Sequence, residues 1–323
     1  MQFGFRILTG VVVYGFALML SSGSQAVEIE WAEVDAPGNA ADEAVRHDRT
    51  SGYGAVDYVY CIGKYEVTNA QYAEFLTAVA TDDDTYGLYN LQMGLSPDGG
   101  IARSGDYRRS YSYSTIAGRA NMPVNLVSLY DSLRFVNWLE NGQPTGAQDH
   151  TTTEDGAYTF VGSTTVGEFN RGSLIFLPTE DEWYKAAYYD PSSGVYFEFP
   201  AGSNSITCAE SGVTSDTANC NRAADSLTEV GSYTGAASPN GTYDQGGNVW
   251  EWSETVFSTG RVLQGGGFTN VSGILSSRNR IKDNPSNETY VQGFRVATVP
   301  EPSGGLLAMT ALLALGYVRR VLA

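Results

Sequence analysis

Histidine is almost absent from this chain: His47 and His150 are the only two in 323 residues. Both sit in polar, loop-like surroundings, so an iron or zinc centre built on several imidazoles is hard to assemble. Cysteine is nearly as scarce, with Cys61, Cys208 and Cys220 alone. Cys61 lies in the apolar-aromatic run Tyr58-Val59-Tyr60-Cys61-Ile62, the setting of a buried inert thiol rather than a nucleophile. Cys208 and Cys220 flank a short polar loop and can close a disulfide in an oxidising compartment. Basic residues are few as well: 19 Lys and Arg face 36 Asp and Glu, a formal net charge of −17. Nucleic acid and anionic membrane faces demand a basic surface, so no nucleic-acid partner is expected.

What the chain does hold is glycine and tyrosine, 37 and 21 residues, with 42% hydrophobic content. That is enough apolar material for a core, in a loop-rich, strand-containing fold rather than a helical bundle. One segment is unusually dense in chemistry: Asp244-Gln245-Gly246-Gly247-Asn248-Val249-Trp250-Glu251-Trp252-Ser253. Paired glycines let main-chain carbonyls approach one point, and Asp244 and Glu251 supply charged oxygens, as a hard cation such as calcium requires. A turn leading into a strand whose two indoles fill the core explains the same residues equally well.

The two ends read as addresses. Residues 1–26 carry Arg6, an apolar run from Ile7 to Leu20 and then Ser24-Gln25-Ala26, the pattern of a secretory signal peptide cleaved after Ala26. Residues 299–323 hold Pro300-Glu301-Pro302, an apolar stretch from Gly304 to Val318 and Arg319-Arg320. On charge alone this is a short tail anchor with its basic end in the cytoplasm. It also resembles the PEP-CTERM sorting signal of Gram-negative bacteria. The resemblance implies transient membrane anchoring, processing by exosortase-type machinery, and release to the cell surface or extracellular matrix.

Between the ends, residues 27–298 read as one α+β domain with few helices and many short strands. Three helices announce themselves by capping boxes: Thr68 with Gln71, Ser128 with Asp131, and Thr179 with Glu182. Behind these caps Tyr72, Phe75, Leu76 and Val79, then Leu129, Leu133, Val136 and Leu139, then Trp183, Ala186, Ala187 and Tyr188 form apolar faces. The acids Glu180, Asp181 and Glu182 sit in a first turn, where they complement the helix dipole. The Gly/Ser/Tyr-rich stretch after Asp82-Asp83-Asp84 reads as a long loop to Asn121. A hairpin is expected around Ala157–Val161, and only short strands after Pro191.

Six motifs in series then match a known pattern: Gly63-Lys64-Tyr65-Glu66-Val67-Thr68-Asn69-Ala70-Gln71-Tyr72, Met122-Pro123-Val124, Leu177-Pro178-Thr179-Glu180-Asp181-Glu182-Trp183, Gly246-Gly247-Asn248-Val249-Trp250-Glu251-Trp252, Gly265-Gly266-Gly267-Phe268 and Gly293-Phe294-Arg295. The chain resembles the formylglycine-generating enzyme (sulfatase-modifying factor) family over about residues 55–297. The resemblance implies a loop-rich variant of the C-type lectin fold with structural calcium. Its first calcium site would be Asp244 and Glu251 with the carbonyls of Gly247 and Val249. A second would be Asn219, Cys220, Asp225 and Leu227.

The resemblance breaks at the chemistry. Formylglycine-generating members use a copper-binding cysteine pair, but no cysteine follows Cys220 here; Asn270 stands at the first of those positions and Gly267 where serine is usual. A second branch of the family makes sulfoxides on an iron held by three histidines, which two histidines cannot provide. Neither copper nor iron is therefore expected, and formylglycine generation is not. Three readings remain. One is a non-catalytic binding or scaffold module for polysaccharide or a surface protein, with a groove at Phe268, Asn270, Arg278 and Asn279. The second is an oxidoreductase of the superfamily with altered metal-dependent chemistry, and the third a structural matrix component. Arg295, in the last core strand, is expected to pair with a buried acid.

Overall fold

In a computed structural model, residues 26–106, 110–170 and 172–300 are described. The secretory and sorting segments read from the sequence lie outside them, apart from Ala26, Val299 and Pro300. Four α-helices occur among the described residues, Asn69–Val79, the short Gln92–Leu95, Leu129–Glu140 and Glu180–Tyr188. The three long ones start where the sequence places them. In each, the cap hydroxyl accepts from the N3 amide while the N3 side chain accepts from the cap amide. These reciprocal bonds satisfy donors that would otherwise be orphaned at a helix start.

The helical faces meet in one core. Tyr72, Phe75, Leu76 and Val79 pack with Leu129, Leu133, Phe135, Val136 and Trp138, and Trp250, Trp252 and Phe294 join the same cluster. Phe135 is central: its ring lies edge-on to Phe75 at 5.4 Å and to Phe294 at 5.4 Å. The two indoles after the glycine-rich segment thus do fill the core, as the plainer reading of that segment required.

Two four-stranded sheets organise the rest. One runs Trp31–Val34, Tyr60–Gly63, Ala297–Thr298, Ile175–Phe176, antiparallel throughout. The other runs Ile281–Asp283, Gly260–Gln264, Trp250–Phe257, Gln292–Gly293, and its last pair is parallel. The hairpin expected near residue 157 is formed by Tyr158–Phe160 and Val166–Phe169. After Pro191 a single 3₁₀ turn, Ser272–Leu275, is the only helical piece among the described residues.

One expectation needs correction. The stretch from Asp82 to Asn121 is not a long loop: it holds the helix Gln92–Leu95 and a hairpin of Ile101–Asp106 with Ser110–Thr115. Serine and glycine disguised the strands, which are held by their tyrosines. Tyr113 donates to the Ala80 carbonyl at 2.9 Å and lies 5.5 Å from the Tyr89 ring.

Candidate functional site: a buried acidic loop and an open cleft

The segment from Asp244 to Glu251 makes a tight left-handed passage before entering its strand. Asp244, Gly247 and Asn248 have φ of 60°, 94° and 54°. Gly247 must be glycine for a second reason, since a Cβ there would lie 2.3 Å from the Asn219 carbonyl oxygen. Asn248 sews this loop to the segment around Asn219: its amide donates to the Asn219 carbonyl at 3.0 Å, and its Oδ1 accepts from Asn219 Nδ2 at 3.1 Å. The two calcium loops expected from the sequence are therefore neighbours sharing hydrogen bonds.

Glu251 is fully buried, and its carboxylate is spoken for. Oε2 accepts from Trp183 Nε1 at 2.7 Å and from Arg295 Nε at 2.6 Å, while Oε1 accepts from Arg295 Nη2 at 2.7 Å. Arg295 therefore does pair with a buried acid. Its remaining donors reach main-chain oxygens of Gly63, Lys64 and Tyr243 at 2.9, 3.4 and 2.9 Å.

Asp244 keeps partial exposure, and its Oδ2 accepts from the Gly231 amide at 2.5 Å. Burial of the carboxyl pushes it up to about 6 against that hydrogen bond. Glu66, which in the sequence is part of a motif and offers nothing beyond its acidity to mark it, alone or with Asp131, as a metal ligand, completes the group. It is 2% exposed, and neither carboxylate oxygen has a hydrogen-bond partner. Burial first, and then the Asp244 charge, drive its carboxyl well above the ordinary range. Nothing in a lone Tyr-Glu-Val signals this; the residue matters because Asp244 and Arg295 fold against it.

The donor chemistry fits a hard cation. Glu66 offers two unpartnered oxygens, and in the neighbouring loop the buried Oδ1 of Asn219 also lacks a partner. No group of three or more His, Cys, Asp or Glu among the described residues is gathered closely enough to hold an ion by side chains alone. An ion here would have to draw on main-chain carbonyls, the role expected of Gly247 and Val249. In the second loop Cys220 accepts from the Ala223 amide at 3.0 Å through its carbonyl. Asp225 is exposed with φ 61°, and Leu227 is buried against Val249 and Phe268.

Asn270, which the resemblance set against the first cysteine of the family's pair, closes a tight turn. Its amide donates to the Gly267 carbonyl at 2.9 Å, and its Oδ1 accepts from the Gly267 amide at 2.9 Å. The Phe268 ring is wholly buried, which leaves Asn270, Arg278 and Asn279 of the expected groove; Arg278 is exposed and Asn279 donates to the Gly273 carbonyl at 2.7 Å. Cys208 and Cys220 are joined in a disulfide with Cα atoms 4.8 Å apart. Cys61 is free, and burial followed by the Glu33 charge raises its thiol, the opposite of nucleophile activation. His47 and His150 are both exposed.

A large cavity lies elsewhere, in a part of the fold where no site was expected. It is an open cleft of about 870 Å³ between the sheet carrying Phe176 and the strand Trp250–Phe257, lined among others by Tyr58, Phe169, Phe176, Glu182, Glu254 and Arg261. Glu182 does double duty. Its Oε2 caps the helix through the Thr179 amide and hydroxyl at 2.7 and 2.8 Å, while Oε1 accepts from the Tyr58 hydroxyl. Glu254 accepts from the Tyr158 hydroxyl at 3.1 Å, and Arg261 donates to the Glu254 carbonyl. These residues come from six separated stretches, so no local motif could have disclosed them.

Few helices, short strands and long ordered loops on two small sheets define a C-type-lectin-like α+β domain of the sulfatase-modifying type. Residues 38–299 match the sulfatase-modifying factor enzyme 1-like domain, and the chain belongs to that family. It is 32% identical over 271 residues to a protein named hercynine oxygenase from Mycolicibacterium smegmatis, covering 73% of this chain and 52% of that one. A protein of the same name from Mycobacterium tuberculosis is 25% identical over 289 residues, covering 80% and 57%. The chain thus spans about half the length of these curated relatives. Among solved structures, that of CarF superposes with a TM-score of 0.50 at 18% identity, covering 85% of this chain and 99% of the other. Treponema denticola variable protein 1 does so with a TM-score of 0.50 at 17% identity, covering 86% and 98%. At these identities the structures speak to the fold alone.

Proposed function

We propose that this is an exported bacterial surface protein whose domain serves as a calcium-stabilised binding module, taking a segment of neutral polysaccharide in the cleft beside Glu182. The cleft carries the reading. Its volume of about 870 Å³ falls in the range of small-ligand sites, roughly 300–1,000 Å³. Its lining combines the surfaces a sugar needs: the rings of Tyr58 and Phe169 for the C–H faces, and Glu254 and Arg261 for hydroxyls. Export through residues 1–26 and transient anchoring through 299–323, with exosortase-type processing, agree with a glycan or surface-protein partner. Structural calcium agrees with the unpartnered oxygens of Glu66 and Asn219.

The experiment is a glycan array probed with the full chain, repeated with Arg261→Gln. Saturable binding to particular glycans, weakened at least tenfold by the substitution at unchanged melting temperature, is the expected result. Binding to no glycan would sink the reading and favour a purely structural matrix role.

A second reading, an oxidoreductase with altered metal-dependent chemistry, is favoured by one observation, the name carried by the relatives at 32% and 25% identity. Copper or iron at about one per chain in protein purified from its native host supports it over the binding module. Calcium alone does not.

A further inference from the structure

The charges around Glu66 do not balance. The ionisable groups that face it are Asp244, Glu251 and Arg295: with Glu66 itself, three carboxylates against one guanidinium. A guanidinium has five N–H donors. Those of Arg295 are committed to both oxygens of Glu251 and to the carbonyls of Gly63, Lys64 and Tyr243, and no bond to Glu66 or Asp244 is among them. Lys64, next in sequence but one, turns outward to Glu30 at 3.5 Å. Of the three carboxylates Arg295 is hydrogen-bonded to Glu251 alone, although its charge also acts on Glu66 and Asp244. Glu66 and Asp244 are left with two formal negative charges and a single neutral donor, the Gly231 amide on Asp244.

Unpaired buried carboxylates are too costly to persist; they are protonated, paired or bound to a metal. Protonation alone serves Glu66 poorly, because a carboxylic acid is also a donor, and with both oxygens buried and unpartnered that hydrogen is left unsatisfied. One divalent cation supplies the missing charge and occupies the unpartnered oxygens together.

We infer that Glu66 is a direct oxygen ligand, with Asp244, of the cation held by the glycine-rich loop, and that Glu251 serves as the counter-ion that positions Arg295. This rests on the calcium reading proposed above, and it changes the ligand set that the sequence implied. The segment between the strand Tyr60–Gly63 and the first long helix, already joined to the glycine-rich loop by the Tyr243 amide donating to the Lys64 carbonyl at 2.9 Å, is thereby tied to it a second time through a metal ion.

Calcium titration calorimetry of the full chain tests this, comparing wild type with Glu66→Gln and Asp244→Asn, alongside thermal melts with and without EDTA. Each substitution is expected to remove one calcium per chain or weaken it at least tenfold. A merely structural glutamate would lower the stability of the calcium-free protein when replaced; Glu66→Gln is expected to leave that stability unchanged or raise it, since it deletes an unpaired charge. If Glu66→Gln binds calcium as tightly as wild type while Asp244→Asn does not, the assignment of Glu66 fails and the calcium reading survives. If wild type binds none, both fail. Should the glutamine variant not fold, anomalous scattering from wild-type crystals soaked in Mn²⁺ decides. A peak between the Glu66 and Asp244 carboxylates supports the assignment, and a peak without Glu66 in its shell, or no peak, overturns it.

Discussion

Arg295 and Glu251 meet side by side with neither side chain exposed, Nε on Oε2 at 2.6 Å and Nη2 on Oε1 at 2.7 Å. Arg295 lies in no strand, contrary to expectation, but in the link between Gln292–Gly293 of the second sheet and Ala297–Thr298 of the first, and Glu251 lies in the strand Trp250–Phe257, so the pair ties that link to the second sheet. Removing one member strands the other charge in the core. Arg295→Met is expected to cost about 3–5 kcal/mol, read as a lower urea midpoint at unchanged slope. A loss under about 1 kcal/mol would show that the pair contributes little to stability.

Asp131 supplies the prediction for pH. Burial, and then the Glu288 charge, raise its carboxyl from 3.8 to about 7, against the hydrogen bonds from Ser128. The native state therefore binds a proton that the unfolded chain releases, so this contribution is complete below about pH 4 and is lost as pH rises through about 7. Asp131→Asn keeps an acceptor for the Ser128 amide while abolishing the titration. The variant is expected to gain on wild type by up to about 4 kcal/mol between pH 4 and pH 8 in denaturant titrations. A constant difference across that range refutes the assignment.

Chelation should weaken the domain. A ligand bound only by the native state adds about 2.7 kcal/mol at a hundredfold excess over its dissociation constant. EDTA is accordingly expected to lower the melting temperature by roughly 5–10 °C, and excess calcium to restore it. An unchanged melt removes structural calcium from the account.

The disulfide is open to the same kind of measurement. Cys208 and Cys220 are separated by 12 residues, and Cys220 is fully buried against Phe199, Ala218 and Leu275. Replacing both by alanine is expected to cost about 2–4 kcal/mol, most of it by freeing the unfolded chain. Equal stability of the oxidised and reduced protein would rule this out.

How much of this was legible in the sequence depends on how locally each feature is specified. The helix starts were, because Thr68-Gln71, Ser128-Asp131 and Thr179-Glu182 carry their caps within four residues. The family was also legible, since six short motifs keep their order along the chain. The strands Ile101–Asp106 and Ser110–Thr115 were not, because they are held by Tyr113 packing onto distant partners rather than by an apolar alternation. The cleft was hidden for the same reason. Glu182 looked like a cap, and it is one; that its other oxygen meets Tyr58 depends on segments 124 residues apart converging. Glu66 was the deepest omission. Its importance is a shortage of partners, which becomes visible only once every neighbouring donor has been placed.

The first sheet carries a consequence for how the protein is made. Its inner strand Tyr60–Gly63 lies between Trp31–Val34 and Ala297–Thr298, and the latter alone links it to Ile175–Phe176. A ribosome that has not yet reached residue 298 has produced the pair of Trp31–Val34 with Tyr60–Gly63, but not the strand that joins this pair to Ile175–Phe176. Such long-range pairing makes for slow folding, and the sheet is completed only when the last of its four strands has been made.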